Sequence, residues 1–169
     1  LPFSPSDIVR IAHSADVSAG TGLGDVMSQS HGGIPIRVKP GGPGHGILEK
    51  ISETNRIEYL SFSSMDTYTI LSGDLSKIQS IGSESLHSLL KNPSLDSLFD
   101  LGYKFTLETN LMTPKIEETI NTVIDCGGKA SMAMLGETVI SLGTGLSDAG
   151  YVPNICETFS PERPLFDIN

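Results

Sequence analysis

Gly20-Thr21-Gly22-Leu23-Gly24-Asp25-Val26-Met27-Ser28-Gln29-Ser30-His31-Gly32-Gly33 is the stretch on which the chain turns. Three alternating glycines deliver one acid, Asp25, to a predicted helix start, and a Gly-Gly turn then opens the apolar run Ile34-Pro35-Ile36-Arg37-Val38. Glycine permits positive φ and close approach of a substrate to backbone. A helix start offers free N–H groups to phosphate, and an acid placed there can accept a substrate proton. By local features the stretch is either a phosphoryl-transfer loop or a Gly-rich connection with a helix-capping Asp. It lacks the preceding strand of a dinucleotide fingerprint and the Lys-Ser/Thr of a P-loop.

Working outward, Ser4-Pro5-Ser6-Asp7 is a helix start, with Ser at the cap, Pro in the first turn and an acid to complement the dipole. Ile8, Val9, Ile11, Ala12 and Ala15 carry helical apolar spacing to about Val17. A short helix is expected from Asp25 to Ser30 and a strand over 34–39. Pro40-Gly41-Gly42-Pro43-Gly44-His45-Gly46 breaks regular structure and is the best candidate for a crossing between domains.

Beyond it, Ile47–Ile51 and Arg56–Ser63 are predicted strands. Asp74 to about Leu90 is amphipathic, with Leu75, Ile78, Ile81, Leu86, Leu89 and Leu90 on one face. Asn92-Pro93-Ser94 ends that helix and caps another through about Thr109. Thr113-Pro114 starts a third that carries Ile116, Ile120, Val123 and Ile124 inward until Gly127-Gly128 stops it. Closing strands are expected near Ala130–Met134, Thr138–Leu142 and Asn154–Phe159. Strands, a helical run and closing strands indicate an α+β protein.

The 169 residues are 38% hydrophobic and 18% charged, the balance of a globular chain with one good domain or parts of two. No apolar run approaches a bilayer span, and no signal-peptide pattern opens the chain, so the expectation is cytoplasmic, with no membrane partner. A formal charge of −9 argues against a nucleic-acid partner, whose binding rests on Lys and Arg. Cys126 and Cys156 lack a C-x-x-C pattern and are expected as reduced, packed thiols.

Ala12-His13-Ser14-Ala15-Asp16-Val17, then Gly20 to Asp25, Gly32-Gly33-Ile34 and Arg37-Val38-Lys39-Pro40-Gly41, resemble the archaeal pantoate kinases, members of the GHMP kinase superfamily. A second block, Ala130-Ser131-Met132-Ala133-Met134-Leu135-Gly136-Glu137-Thr138-Val139, resembles the C-terminal glycine-containing motif of that family. The resemblance implies a GHMP kinase fold: residues 1–43 as the tail of the N-terminal, ribosomal S5-like domain, and 44–169 as the C-terminal ferredoxin-like domain. It implies an ATP- and Mg²⁺-dependent kinase that phosphorylates the 4-hydroxyl of pantoate to 4-phosphopantoate for coenzyme A synthesis, acting as a homodimer. The family's phosphate loop, of the type Pro-x-x-x-Gly-Leu-Gly-Ser-Ser, stands before the catalytic acid. No such run lies between Leu1 and Asp25, so the expectation is a C-terminal portion that needs upstream sequence for nucleotide binding. The alternatives are a mevalonate or homoserine kinase-like member and a non-catalytic module of the same fold.

The same resemblance assigns the site. Asp25 is implied as the catalytic acid beside the acceptor hydroxyl. Gly22, Gly24, His13 and Arg37 are implied at the substrate. Ser131, Met132, Ala133 and Gly136 belong to the nucleotide or active-site loop, although two methionines in that run also suit core filling. Asp16, nine positions before Asp25 where relatives usually carry Glu, is the candidate Mg²⁺ ligand. Arg37 and Lys39, alternating with Ile36 and Val38, are placed on one strand face that either meets a carboxylate or faces solvent. His31 is expected in a structural hydrogen bond.

Overall fold

The computed structural model describes residues 3–19, 25–63, 73–134 and 136–159. These form a mixed α+β structure of antiparallel sheets, divided into two compact units: residues up to Thr54 with Thr158 and Phe159, and Asn55–Glu157.

The first unit opens on helix α1 (Pro5–Ala19). Ser4 Oγ accepts the Asp7 N–H at 3.2 Å while the Asp7 carboxylate accepts the Ser4 N–H at 3.0 Å, the reciprocal box expected of a Ser-x-x-acid start. Helix α2 (Asp25–His31) and the hairpin of β1 (Ile34–Lys39) and β2 (Ile47–Ile51) follow. Val9 and Met27 are buried together, with Val26 and Leu48 packed against them. The apolar face predicted for α1 is only partly covered among the described residues: Val9 is buried, whereas Ile8 and Ile11 are 42% and 55% exposed.

The Pro40–Gly46 stretch is not a crossing between units. It turns β1 back onto β2, with the His45 and Gly46 N–H groups donating to Gly42 O at 3.1 and 3.0 Å. Because β2 pairs with β1, the compact units divide at 54/55 rather than at 43/44. The chain also returns: Thr158 Oγ1 donates to Glu53 O at 2.8 Å, after the shorter-than-expected closing strand.

The second unit runs β3 (Arg56–Ser63), α3 (Ser76–Lys91), α4 (Leu95–Thr109), α5 (Pro114–Asp125), β4 (Ala130–Ala133), β5 (Glu137–Leu142), α6 (Gly145–Asp148) and β6 (Asn154–Glu157). Its antiparallel sheet has the spatial order β4-β5-β3-β6. Ser94 caps α4 by accepting the Ser97 N–H, and Thr113 caps α5 by accepting the Ile116 N–H. Gly127, at φ +82°, ends α5, with Gly128 N–H donating to Val123 O at 2.9 Å; a left-handed residue closes the helix as Gly does at little steric cost.

Alternation along β3 and β5 points Leu60 and Val139 toward the helices, where Ile116, Ile120, Val123, Met132 and Leu146 complete the core. Ile124, expected inward, is 40% exposed, because it falls one step past the buried stripe of α5. Cys126 and Cys156 are free as expected, but both are exposed: one follows the last turn of α5 and the other lies on edge strand β6. Among the described residues no helix is long and apolar enough to cross a membrane.

Candidate active site

Asp25 is the first residue of α2 and is exposed. Gly22 and Gly24, with the rest of 20–24, lie outside the described residues. The end of α2 is built by hydrogen bonds: His31 Nδ1 meets Met27 O at 2.8 Å and Ser30 Oγ at 3.2 Å, and Ser30 Oγ donates to Met27 O. A carbonyl only accepts, so Nδ1 carries the proton in this contact. This is the structural hydrogen bond expected of His31.

His13 reaches the hairpin turn. A Cβ added at Gly42 would lie 2.6 Å from His13 Cδ2, so the imidazole packs against bare backbone that only glycine leaves open. His13 thus packs against the Gly-rich turn between β1 and β2. Asp16 is half-buried on α1, one turn nearer its C-terminus. Arg37 is half-buried opposite Leu48. A register shift between Arg37 and Lys39 breaks the strict alternation that placed both on one face, and Lys39 is exposed. His13, Asp16, Asp25 and Arg37 all belong to the first unit.

Ser131, Met132, Ala133 and Gly136 belong to the second unit. The first three form strand β4 rather than a loop. Met132 is core, as its chemistry suggested, and Ser131 is buried. Gly136 lies in the β4–β5 turn, its N–H donating to Ala133 O at 3.2 Å. The acid that follows, Glu137, accepts hydroxyl hydrogen bonds from Ser63 and, at 2.6 Å, from Thr113. Those two bonds hold its carboxyl below the ordinary glutamate range.

The most enclosed charge escaped the sequence reading. Glu58 on β3 is fully buried. Its carboxylate accepts from Arg56 Nη2 at 2.6 Å and from the Ser147 N–H and hydroxyl at 2.9 and 2.6 Å. Burial pushes its pKa up, but the hydroxyl and amide of Ser147, then Arg56, outweigh this and leave it lowered. The available signal was phase, since Glu58 alternates with Leu60 and Phe62 at the inward positions of the strand.

A polar depression of about 350 Å³ between the Gly127-Gly128 and Gly143–Gly145 turns has one lining cation, Lys129. That ammonium is already paired with Asp96 at 3.1 Å and Asp100 at 2.9 Å, which raise its pKa, Asp100 most. Among the described residues no group of three or more His, Cys, Asp or Glu is placed to hold a metal.

No family model matches the chain. Its fold is similar to that of a solved structure described as a phosphotransferase related to the CoA biosynthesis pathway, with a TM-score of 0.78 and 28% identity, covering 92% of this chain and 55% of that one. More particularly, the chain is similar to the pantoate kinases of Thermococcus kodakarensis, at 33% identity over 92% of this chain, and Methanocaldococcus jannaschii, at 35% over 89%. The pantoate kinase of Methanospirillum hungatei is 31% identical over 96% of it. The likeness to archaeal pantoate kinases read around Asp25 and Gly136 is thus borne out along most of the chain. The chain spans between 55% and 58% of the length of these curated relatives.

Proposed function

We propose that the protein is an ATP-dependent kinase that transfers a phosphoryl group to the 4-hydroxyl of pantoate in coenzyme A synthesis. The observation that carries this reading is the similarity to three archaeal pantoate kinases over about nine tenths of the chain, spanning both the Asp25 and Gly136 blocks. In the second unit a strand, three helices, two strands, a short helix and a last strand follow one another, and β3 and β5 are central to the sheet, which supports a ferredoxin-like C-terminal domain with extra helices in its first crossover.

In this reading Asp25 orients the attacking hydroxyl and takes its proton. Phosphoryl transfer needs little covalent help from protein, so positioning and charge stabilisation dominate. An exposed carboxylate at a helix start is free to do this without a burial cost. His13 acts one step back, by ordering the turn at Gly42, and Arg37 supplies a cation on the β1 face. In the 131–136 block, the turn at Gly136 is the part open to a nucleotide, since Ser131 and Met132 are buried.

Mg²⁺ typically takes one or two carboxylates besides phosphate oxygens and water, so a single carboxylate from this chain, Asp16, suffices as the protein's share. Such an ion would neutralise charge on the transferring phosphate. The reading is tested by ADP release from the protein expressed from its complete gene, with pantoate, mevalonate, homoserine and galactose as acceptors. Preference for pantoate is expected; equal or greater turnover of another acceptor would overturn the assignment.

A further inference from the structure

The turn that joins β4 to β5 holds a glycine that neither backbone conformation nor packing requires. The φ of Gly136 lies outside the left-handed region, so other residues could adopt it. Among the described residues, a Cβ added there would come no nearer than 3.7 Å to Thr138 Oγ1 and 3.8 Å to Ala133 O, ordinary contacts with room for a methyl group. Glycine loses more freedom on folding than any other residue, and its remaining use at such a place is bare backbone that a ligand can approach closely.

Beside that open backbone the turn is tied down. The Gly136 N–H donates to Ala133 O at 3.2 Å and the Thr138 N–H to Gly136 O at 2.7 Å. Glu137 accepts the hydroxyl of Ser63, the last residue of β3, and at 2.6 Å that of Thr113, the cap of α5. The Thr138 hydroxyl meets Ser61 Oγ at 2.8 Å. Strand register makes this possible. Ser61 pairs with Thr138, and regular antiparallel pairing would then set Ser63 against Gly136. A shift between Ser61 and Ser63 sets it against Glu137 instead. Such a bulge re-aims a side chain, and here it brings the Ser63 hydroxyl to the carboxylate. Successive residues of β5 point to opposite faces of the sheet, so Glu137 and Thr138 hold the turn from both.

We propose that Glu137 is a positioning residue: its carboxylate clamps the β4–β5 turn to β3 and to the start of α5, so that the bare backbone at Gly136 meets a bound nucleotide in one fixed shape. That the occupant is a nucleotide rests on the kinase reading; the clamp does not. Glu137 acts through its hydrogen bonds and not through its charge, which beside phosphates would be unfavourable. A glutamine, whose amide accepts from one hydroxyl and donates to the other, keeps the bonds without the charge.

The test is amide hydrogen exchange and steady-state kinetics on the protein expressed from its complete gene, with MgATP and pantoate as probes. In Glu137→Ala the Gly136 and Thr138 amides should exchange at least about tenfold faster. The KM for ATP should rise at least about fivefold, with smaller changes in kcat and in the KM for pantoate. Glu137→Gln should keep wild-type exchange, with a KM for ATP at or below the wild-type value. Ser63→Ala, a milder change at an exposed hydroxyl, should shift exchange and KM in the wild type and add nothing in Glu137→Ala, because its bond is already gone. Gly136→Ala should raise the KM for ATP without lowering the thermal midpoint. Unchanged exchange in Glu137→Ala, or a Ser63→Ala effect that persists in full there, would overturn the clamp. Faster exchange with an unmoved KM for ATP in both Glu137→Ala and Gly136→Ala would leave the clamp standing and overturn the nucleotide as its occupant. Absence of ATP-dependent phosphorylation of any acceptor would remove the kinase reading, and exchange would still decide the clamp.

Discussion

Ser147 donates twice to Glu58: its backbone N–H reaches Oε2 at 2.9 Å and its hydroxyl reaches Oε1 at 2.6 Å. These bonds pin the four-residue helix α6 to the inward face of β3, and Arg56 completes the carboxylate's partners at 2.6 Å. A charge so fully buried is tolerated only because its lone pairs are used.

Glu58→Ala should therefore cost about 3 kcal/mol, since it strands the Ser147 and Arg56 donors and leaves a cavity. Urea unfolding at pH 7 measures it. The sign with pH follows from the lowered pKa. The stability from ionised Glu58 is fully present above the ordinary value of 4.5 and is lost as pH falls through the lowered one. The gap between wild type and Glu58→Gln should narrow on acidification from pH 7 to pH 3. A constant gap would show that Glu58 is not ionised in the fold.

Gly42→Ala should cost about 1–3 kcal/mol, because the new methyl lands 2.6 Å from His13 Cδ2 and the imidazole must leave. Its effect is steric, so combining it with His13→Ala should recover most of the loss. Additive double-mutant energies would mean that the two residues do not press on one another.

Much of the fold was legible because its boundaries are written in local chemistry. β1, β2 and β3 begin and end where the sequence placed them, bounded by the Gly32-Gly33 turn, the Pro40–Gly46 break and the polar residues around Asn55. Ser4, Ser94 and Thr113 cap the helices they were expected to start. What escaped depends on partners distant in the chain. Helix α6 is too short for a periodic signal and is held by Glu58 and by Ser141 Oγ, which accepts the Leu146 N–H. The 40–46 break was legible as a break, but composition does not distinguish a hairpin turn from a crossing between units. At the candidate site, Asp25 stands out by local spacing, whereas Arg37 meets Leu48 only through the β1–β2 register.

Thr113 has two tasks, accepting the Ile116 N–H as the cap of α5 and donating to Glu137 at 2.6 Å. Thr113→Val should cost about 1 kcal/mol for the lost cap. It should also raise the Glu137 pKa toward the ordinary glutamate value, read from its side-chain carboxyl carbon by NMR, while Thr113→Ser preserves both. The Ser63 hydroxyl is the larger influence, so Ser63→Ala should raise that pKa further than Thr113→Val does. The reverse order would overturn the assignment of Ser63 as the main partner.

Asp25→Asn separates catalysis from capping. The substitution keeps size and hydrogen-bonding shape at the first position of α2 but removes the basic carboxylate. Asn serves the start of a helix about as well as Asp, and Asp25 is exposed, so the thermal midpoint and circular dichroism should stay near wild type. Turnover of pantoate with ATP should fall at least about tenfold if the carboxylate orients and deprotonates the attacking hydroxyl, general-base contributions being about 10²–10⁴-fold. The loss should appear in kcat more than in KM, because the proton is transferred only on the way to the transition state. An Asn variant with full turnover would reduce Asp25 to the first residue of a seven-residue helix.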